Sequence, residues 1–383
     1  MQNNATANTS PTVPLGIIKS LTGIRGIMAL WVFSLHIKQH SQLHSAFFPD
    51  LLPFFSKLFF CGYFGVDVFF MLSGIVMTMV YGAKMKTFNW QQTLYYYRLR
   101  WARIVPNHYT MLLVFWVTYK LTEVVFHISA NTADKFNLRD LGLNLLLLQS
   151  YLPEKITTWN SVSWSISTEF FAYLLFPLVA CRILPLPRPI LLGLFSVLLL
   201  AFIGVFTWVF RGETDFINNV SLLKIGFEFL LGTIATQVWI LPVLRKEVSV
   251  PSLLTKNLAP LALVGFIAGL FFLPSSVLVV FGLPLLIGLS FQQCWLSKLL
   301  STRFFIFLGE VSFALYLCHH LFITAGGAIG VKVLAKFMAL PVAVNVTVVL
   351  MLIGSVLASY LLHTFVEKPA YDYVKKMKPK IAP

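Results

Sequence analysis

The chain has 383 residues, 58% of them hydrophobic and only 11% charged, with a mean hydropathy of +0.80. Soluble globular domains carry about 25% charged residues, and no soluble core of this size hides so much apolar surface, so the composition excludes a soluble enzyme and predicts one polytopic, all-α membrane bundle. The net charge of +15 reads as the basic inner loops of a membrane protein rather than a nucleic-acid surface, and four scattered cysteines show no metal or disulfide spacing.

Residues 1–16 are uncharged and rich in Asn, Thr and Pro, which predicts a disordered tail. No small-residue cleavage site follows the first apolar run, so a removable signal peptide is not expected. The first span runs from about Ile17 to Ile37 and carries Arg25 and His36. Eleven residues at about 100° each place both on one helical face, roughly 16 Å apart along the axis. Such residues are costly in a membrane helix unless they line a polar cavity. The plainer readings are a snorkelling arginine and an interfacial histidine. His36, His40 and His44 also repeat at i, i+4, i+8, which leaves a three-histidine metal site open, although no carboxylate or cysteine stands nearby at ligand spacing.

A polar loop with His40, His44 and Asp50 leads to a second span, about Leu58 to Tyr81, in which Asp67 is the one carboxylate. A basic loop follows, with Lys84, Lys86, Arg98, Arg100 and Arg103. Arg100 and Arg103, at i, i+3, suit a phosphate fork; the plainer reading is inner-loop charge. A third span is expected from about Ile104 to Phe126. Leu141–Tyr151 is apolar but too short to cross, so it reads as interfacial or re-entrant. A Ser- and Trp-rich stretch then opens the next span, with Ser165 and Glu169 at i, i+4. These two either cap the helix or line an acceptor site.

Further spans are expected at about 190–210, 222–241, 258–273, 277–291, 304–325 and 342–363, giving roughly ten crossings. Glu310, Tyr316 and His319 share one of them, and Glu310 and His319 are expected to face the bundle interior. Residues 370–383 are basic. With both termini inside, Lys and Arg collect in the inner loops, so the positive-inside rule places both termini in the cytoplasm.

In order, Arg25 with His36, GYFGVDVFFMLSG, YRLRWARIVP, WSISTEFFAYLLFPL, LGEVSFALYLCHH and FVEKP resemble acyltransferase family 3 over about Lys19 to Pro369. The resemblance implies one membrane-embedded acyltransferase domain, residues 17–369, in a bacterial inner membrane. It implies an O-acyltransferase that takes an acetyl or other short acyl group from acetyl-CoA, a co-substrate and not a resident cofactor. The acceptor it implies is a hydroxyl of a glycan or lipid-linked glycan, such as O-antigen, on the periplasmic side. His36, with Arg25, Asp67 and Glu169, would form the catalytic group. Arg98, Arg100 and Arg103 would bind the donor. Ser165, Glu310, Tyr316 and His319 would support the acceptor. No metal is expected; the lipid bilayer and a second copy of the chain are the other partner classes. Leu99 stands where the family often has an arginine, and no esterase-like domain follows, so the chain is expected to act alone or with a partner chain. Two other readings stay open: an acyltransferase for a lipid or small hydrophobic acceptor, and a proton-coupled transporter, which would also bury Asp, Glu, His and Arg.

Overall fold

The computed structural model describes residues 18–45, 53–126, 135–154, 157–211 and 218–377. The expected tail 1–16, Asp50 and the last six residues of the basic tail lie outside them. The described residues form helices and connecting turns, with no strand among them. In chain order the helices are α1 Lys19–Gln39, α2 Pro53–Phe60, α3 Phe64–Met77, α4 Trp90–Phe126, α5 Leu138–Leu145, α6 Trp164–Arg182, α7 Arg188–Gly204 and α8 Val220–Ala235. After a short turn at Leu241–Leu244 follow α9 Ser252–Phe272, α10 Ser275–Ser290, α11 Trp295–Leu300, α12 Arg303–Leu321, α13 Gly327–Leu334, α14 Leu340–Leu362 and α15 Lys368–Lys376.

Eight stretches among the described residues are long and apolar enough to cross a membrane. They fall in α1, the α2–α3 run, α6, α7, α8, α9, α12 and the α14–α15 run. The other two of the ten expected crossings are α4 and α10. The first half of α4 carries Arg98, Arg100 and Arg103, and α10 has only 16 residues. Two expectations change. The basic segment 90–103 is not a loop: it is the first half of a continuous 37-residue helix, about 55 Å long, that runs through Pro106. The last span does not stop near His363, because a π-helical turn at His363–Glu367 carries it directly into α15. Leu141–Tyr151 contains only the end of the eight-residue α5, followed by turns.

The scaffold around the site is the parallel pair α1 and α12. Thr22 lies beside Gly309, while Phe33 and His36 lie beside His319. The two backbones touch. A Cβ on Gly309 would sit 1.9 Å from the Thr22 carbonyl oxygen, and one on Gly26 2.5 Å from Leu308 Cβ. Lipid gives helices no hydrophobic reason to associate, so van der Waals contact between close backbones is the main attraction, and only glycine permits it here. α3 runs antiparallel to α1: Gly65 meets Met28 and Gly62 meets Trp31. α6 lies against α3 and α4, joined by Ser73–Glu169 and Tyr96–Tyr173 hydrogen bonds.

Candidate active site

Between α1, α3, α4, α6 and α12 lies a cavity of about 830 Å³, within the range of small-ligand pockets. One end opens beside Lys19, the α3 terminus and Tyr371 of α15; the inner end abuts Val66, Phe69, Ser165 and Tyr316. Three arginines from two distant parts of the chain line it: Arg25 from α1, and Arg100 and Arg103 from α4. The i, i+3 spacing of the last two works because the segment is helical. Arg98, two residues from Arg100 and so turned about 200° around the helix, is exposed and does not line the cavity. It does not share the face that Arg100 and Arg103 turn to the cavity.

Arg100 is buried, with its guanidinium donating to the Tyr81 hydroxyl at 2.9 Å and lying over the rings of Tyr81, Tyr173 and Tyr96 at 5.2, 5.6 and 5.9 Å. Such an aromatic cage holds a planar cation rigidly while leaving donor groups for a ligand. Arg103 is ion-paired with the buried Glu367. The other Glu367 oxygen accepts from Asn107 Nδ2 at 2.9 Å, and His363 Nδ1 lies 3.4 Å from the carboxylate. Glu169, on the same wall, accepts from the Ser73 hydroxyl at 3.0 Å and from the Tyr173 hydroxyl. Glu310 also lines the cavity and is solvent-accessible there.

At the inner end, the Ser165 hydroxyl donates to the Tyr316 hydroxyl at 2.8 Å, and Tyr316 donates to the Val162 carbonyl at 3.0 Å. Ser165 and Tyr316 therefore share the cavity with the arginines. One turn beyond Tyr316 is His319, fully buried. Its Nδ1 lies 2.7 Å from the Tyr316 carbonyl and so donates there, which leaves Nε2 as the lone-pair nitrogen, with no hydrogen-bond partner among the described residues. The His36 ring lies 5.2 Å from that of His319 and 5.3 Å from that of His320. His36 does not line the cavity; it stands behind its inner end, linked to it through His319 and Tyr316, whose rings lie 5.8 Å apart.

The i, i+4, i+8 histidine series breaks because α1 ends at Gln39. His40 caps the helix, and His44 turns back to the Ser41 carbonyl at 2.7 Å. Burial holds the His40 imidazole below its usual range. Among the described residues no group of three or more His, Cys, Asp or Glu is placed to hold a metal ion.

Asp67 is elsewhere than expected. It does not line the cavity: it faces α8, where it is ion-paired with Lys224 and adjoins Glu228. All three are buried, at 1, 3 and 0% exposure, so Asp67 takes part in a contact between α3 and α8, away from the cavity that the arginines line. Sequence reading missed Lys224 and Glu228, although two charges at i, i+4 in an apolar run signal a buried polar contact. It missed His320 as well, which only the three-dimensional approach to His36 reveals.

The model of the acyltransferase domain that defines acyltransferase family 3 matches residues 18–364. Acyltransferase MdmB from Streptomyces mycarofaciens is 29% identical over 385 residues, an alignment covering 94% of each chain. No solved structure matches the chain. The family match takes in every helix that frames the cavity except α15, and the chain belongs to acyltransferase family 3 as a multi-pass membrane acyltransferase.

Proposed function

We propose that this acyltransferase moves an acetyl or other short acyl group from a coenzyme A thioester to a hydroxyl of a surface glycan, such as a lipid-linked O-antigen unit, across a bacterial plasma membrane. The observation that carries the reading is the convergence of Arg25, Arg100 and Arg103 on one cavity whose inner end is separated from the histidine cluster by Tyr316. Coenzyme A brings several phosphate charges, and buried guanidinium groups suit phosphate oxygens. The helix ends and connections on the Lys19 side of the bundle carry Lys84, Lys86, Arg182, Arg245, Lys246, Lys256 and Lys298. By the positive-inside rule this is the cytoplasmic side, where acyl-CoA is made. The acceptor then approaches His36 from the opposite, periplasmic side.

In this scheme the hydroxyl oxygen attacks the thioester carbonyl carbon as His36 takes its proton. The carbon–sulfur bond breaks, and the proton passes to the leaving thiolate to give free coenzyme A and an O-acyl ester. His319 Nε2, a buried lone pair beside His36, stabilises the imidazolium by accepting its proton in a hydrogen bond. Ser165 and Tyr316 present hydroxyls at the inner end, and Glu169 lines the wall with its charge held by Ser73 and Tyr173.

The test supplies radiolabelled acetyl-CoA to membranes with and without the protein, then separates glycan, lipid and aqueous fractions. Label in the glycan fraction, lost in the Arg100→Ala/Arg103→Ala double variant, supports the scheme. Label confined to lipid moves the acceptor to a lipid or small hydrophobic alcohol, and no labelled product from the wild type rejects the donor.

A further inference from the structure

The match to the family ends at residue 364, yet the cavity does not: Tyr371, on α15, lines its open end. The position of α15 is fixed by several contacts. The π-helical turn before it buries Glu367 against Arg103, Asn107 and His363. Further along, the Tyr95 hydroxyl donates to the Lys375 carbonyl at 3.2 Å, tying the helix to α4. The outward Tyr373 is 65% exposed, whereas Tyr371 is turned inward, its phenol beside that of Tyr81. The mouth thus presents an aromatic ring from outside the family domain, within a few residues of the Arg100 cage.

We infer that α15 completes the donor site, and that Tyr371 stacks on the adenine of the coenzyme A thioester while the arginines take its phosphates. The inference rests on the donor reading above and specifies which part of the donor lies at the mouth. A purine offers a flat π-face to an aromatic side chain, and its attached phosphates would face the guanidinium side of the same opening. The class of ligand is an adenosine 3′,5′-bisphosphate attached to a phosphopantetheine arm, with the arm pointing toward Tyr316.

The experiment titrates coenzyme A and adenosine 3′,5′-bisphosphate into the purified full-length protein in lipid nanodiscs. Both bind the wild type. Tyr371→Ala weakens both by about tenfold or more, Tyr371→Phe restores affinity to within about threefold, and Tyr373→Ala leaves it unchanged. If Tyr371→Ala is not monodisperse, Tyr371→Leu, which keeps the bulk and removes the ring, replaces it with the same expected loss. Wild-type affinity for coenzyme A in the ring-deleted variant overturns the stacking role and leaves the donor reading intact. A wild type that binds no coenzyme A overturns both.

Discussion

The Asp67–Lys224–Glu228 cluster separates two accounts of Asp67, as a catalytic group or as part of a helix contact. Asp67 and Lys224 are ion-paired with side chains 1 and 4% exposed, and a second carboxylate adjoins them. At an effective dielectric of about 20, two unit charges 4 Å apart attract by about 4 kcal/mol. Losing that attraction while the surviving charges stay buried costs about 3–5 kcal/mol. Lys224→Met strands two carboxylates, and Asp67→Asn strands part of the lysine charge, so each single variant is expected to fall in that range or just below it. The double variant leaves Glu228 free to take a proton beside a neutral amide, and it recovers at least about 2 kcal/mol relative to the sum of the singles. In detergent, the temperature of half-aggregation drops by on the order of 5–10 °C for each single and partly returns in the double. Acyl transfer by the surviving folded fraction stays near wild type. Near wild-type stability in Asp67→Asn with turnover lost a hundredfold refutes the structural assignment and restores Asp67 to the catalytic group.

His36→Gln keeps a hydrogen-bonding side chain but cannot hold a proton, so product acylation at equal membrane abundance falls about 10²–10⁴-fold; His44→Gln, whose ring only closes a turn, stays near wild type, and equal losses would point back to a metal. Gly309→Val forces a side chain into the Thr22 carbonyl and separates α1 from α12, so full-length protein recovered from membranes drops severely; normal recovery would show that the close approach is dispensable. Glu367→Gln removes the charge that occupies Arg103, and the freed guanidinium tightens coenzyme A binding several-fold in titration; unchanged or weaker binding refutes this.

The helical class and the location of most spans were readable because runs of about 20 apolar residues have few alternatives. Arg25, Arg100, Arg103, Ser165, Glu169, Glu310 and Tyr316 were all readable as candidates and do line one cavity. What the sequence hid was pairing. Arg103 meets Glu367 across 264 residues, and Asp67 meets Lys224 on a helix five elements later. Periodicity shows that a residue shares a face with its neighbours but not what lies opposite. α4 was obscured by its own charge: arginines and tyrosines lower the hydropathy that marks a span, although arginine, leucine and glutamine are good helix formers. Five π-helical turns add a further difficulty. Each slips the register by one residue, so face assignments counted at 3.6 residues per turn fail beyond them. Tyr81 and Glu367 both lie in such turns, and the role of neither was foreseen.

Close packing of glycine against backbone joins α1 and α12 into a single body. The arginine on one and the histidines on both are therefore fixed at one separation, about 16 Å between residues 25 and 36. A carrier that rocks one bundle against another must open such a seam, and here the seam has no room to slide. In the scheme proposed above, passage of the acyl group from one side of the membrane to the other thus falls to the substrate itself: the flexible arm must be long enough to cover a gap the protein holds constant, and a donor with a shorter tether would bind at the mouth without delivering its cargo.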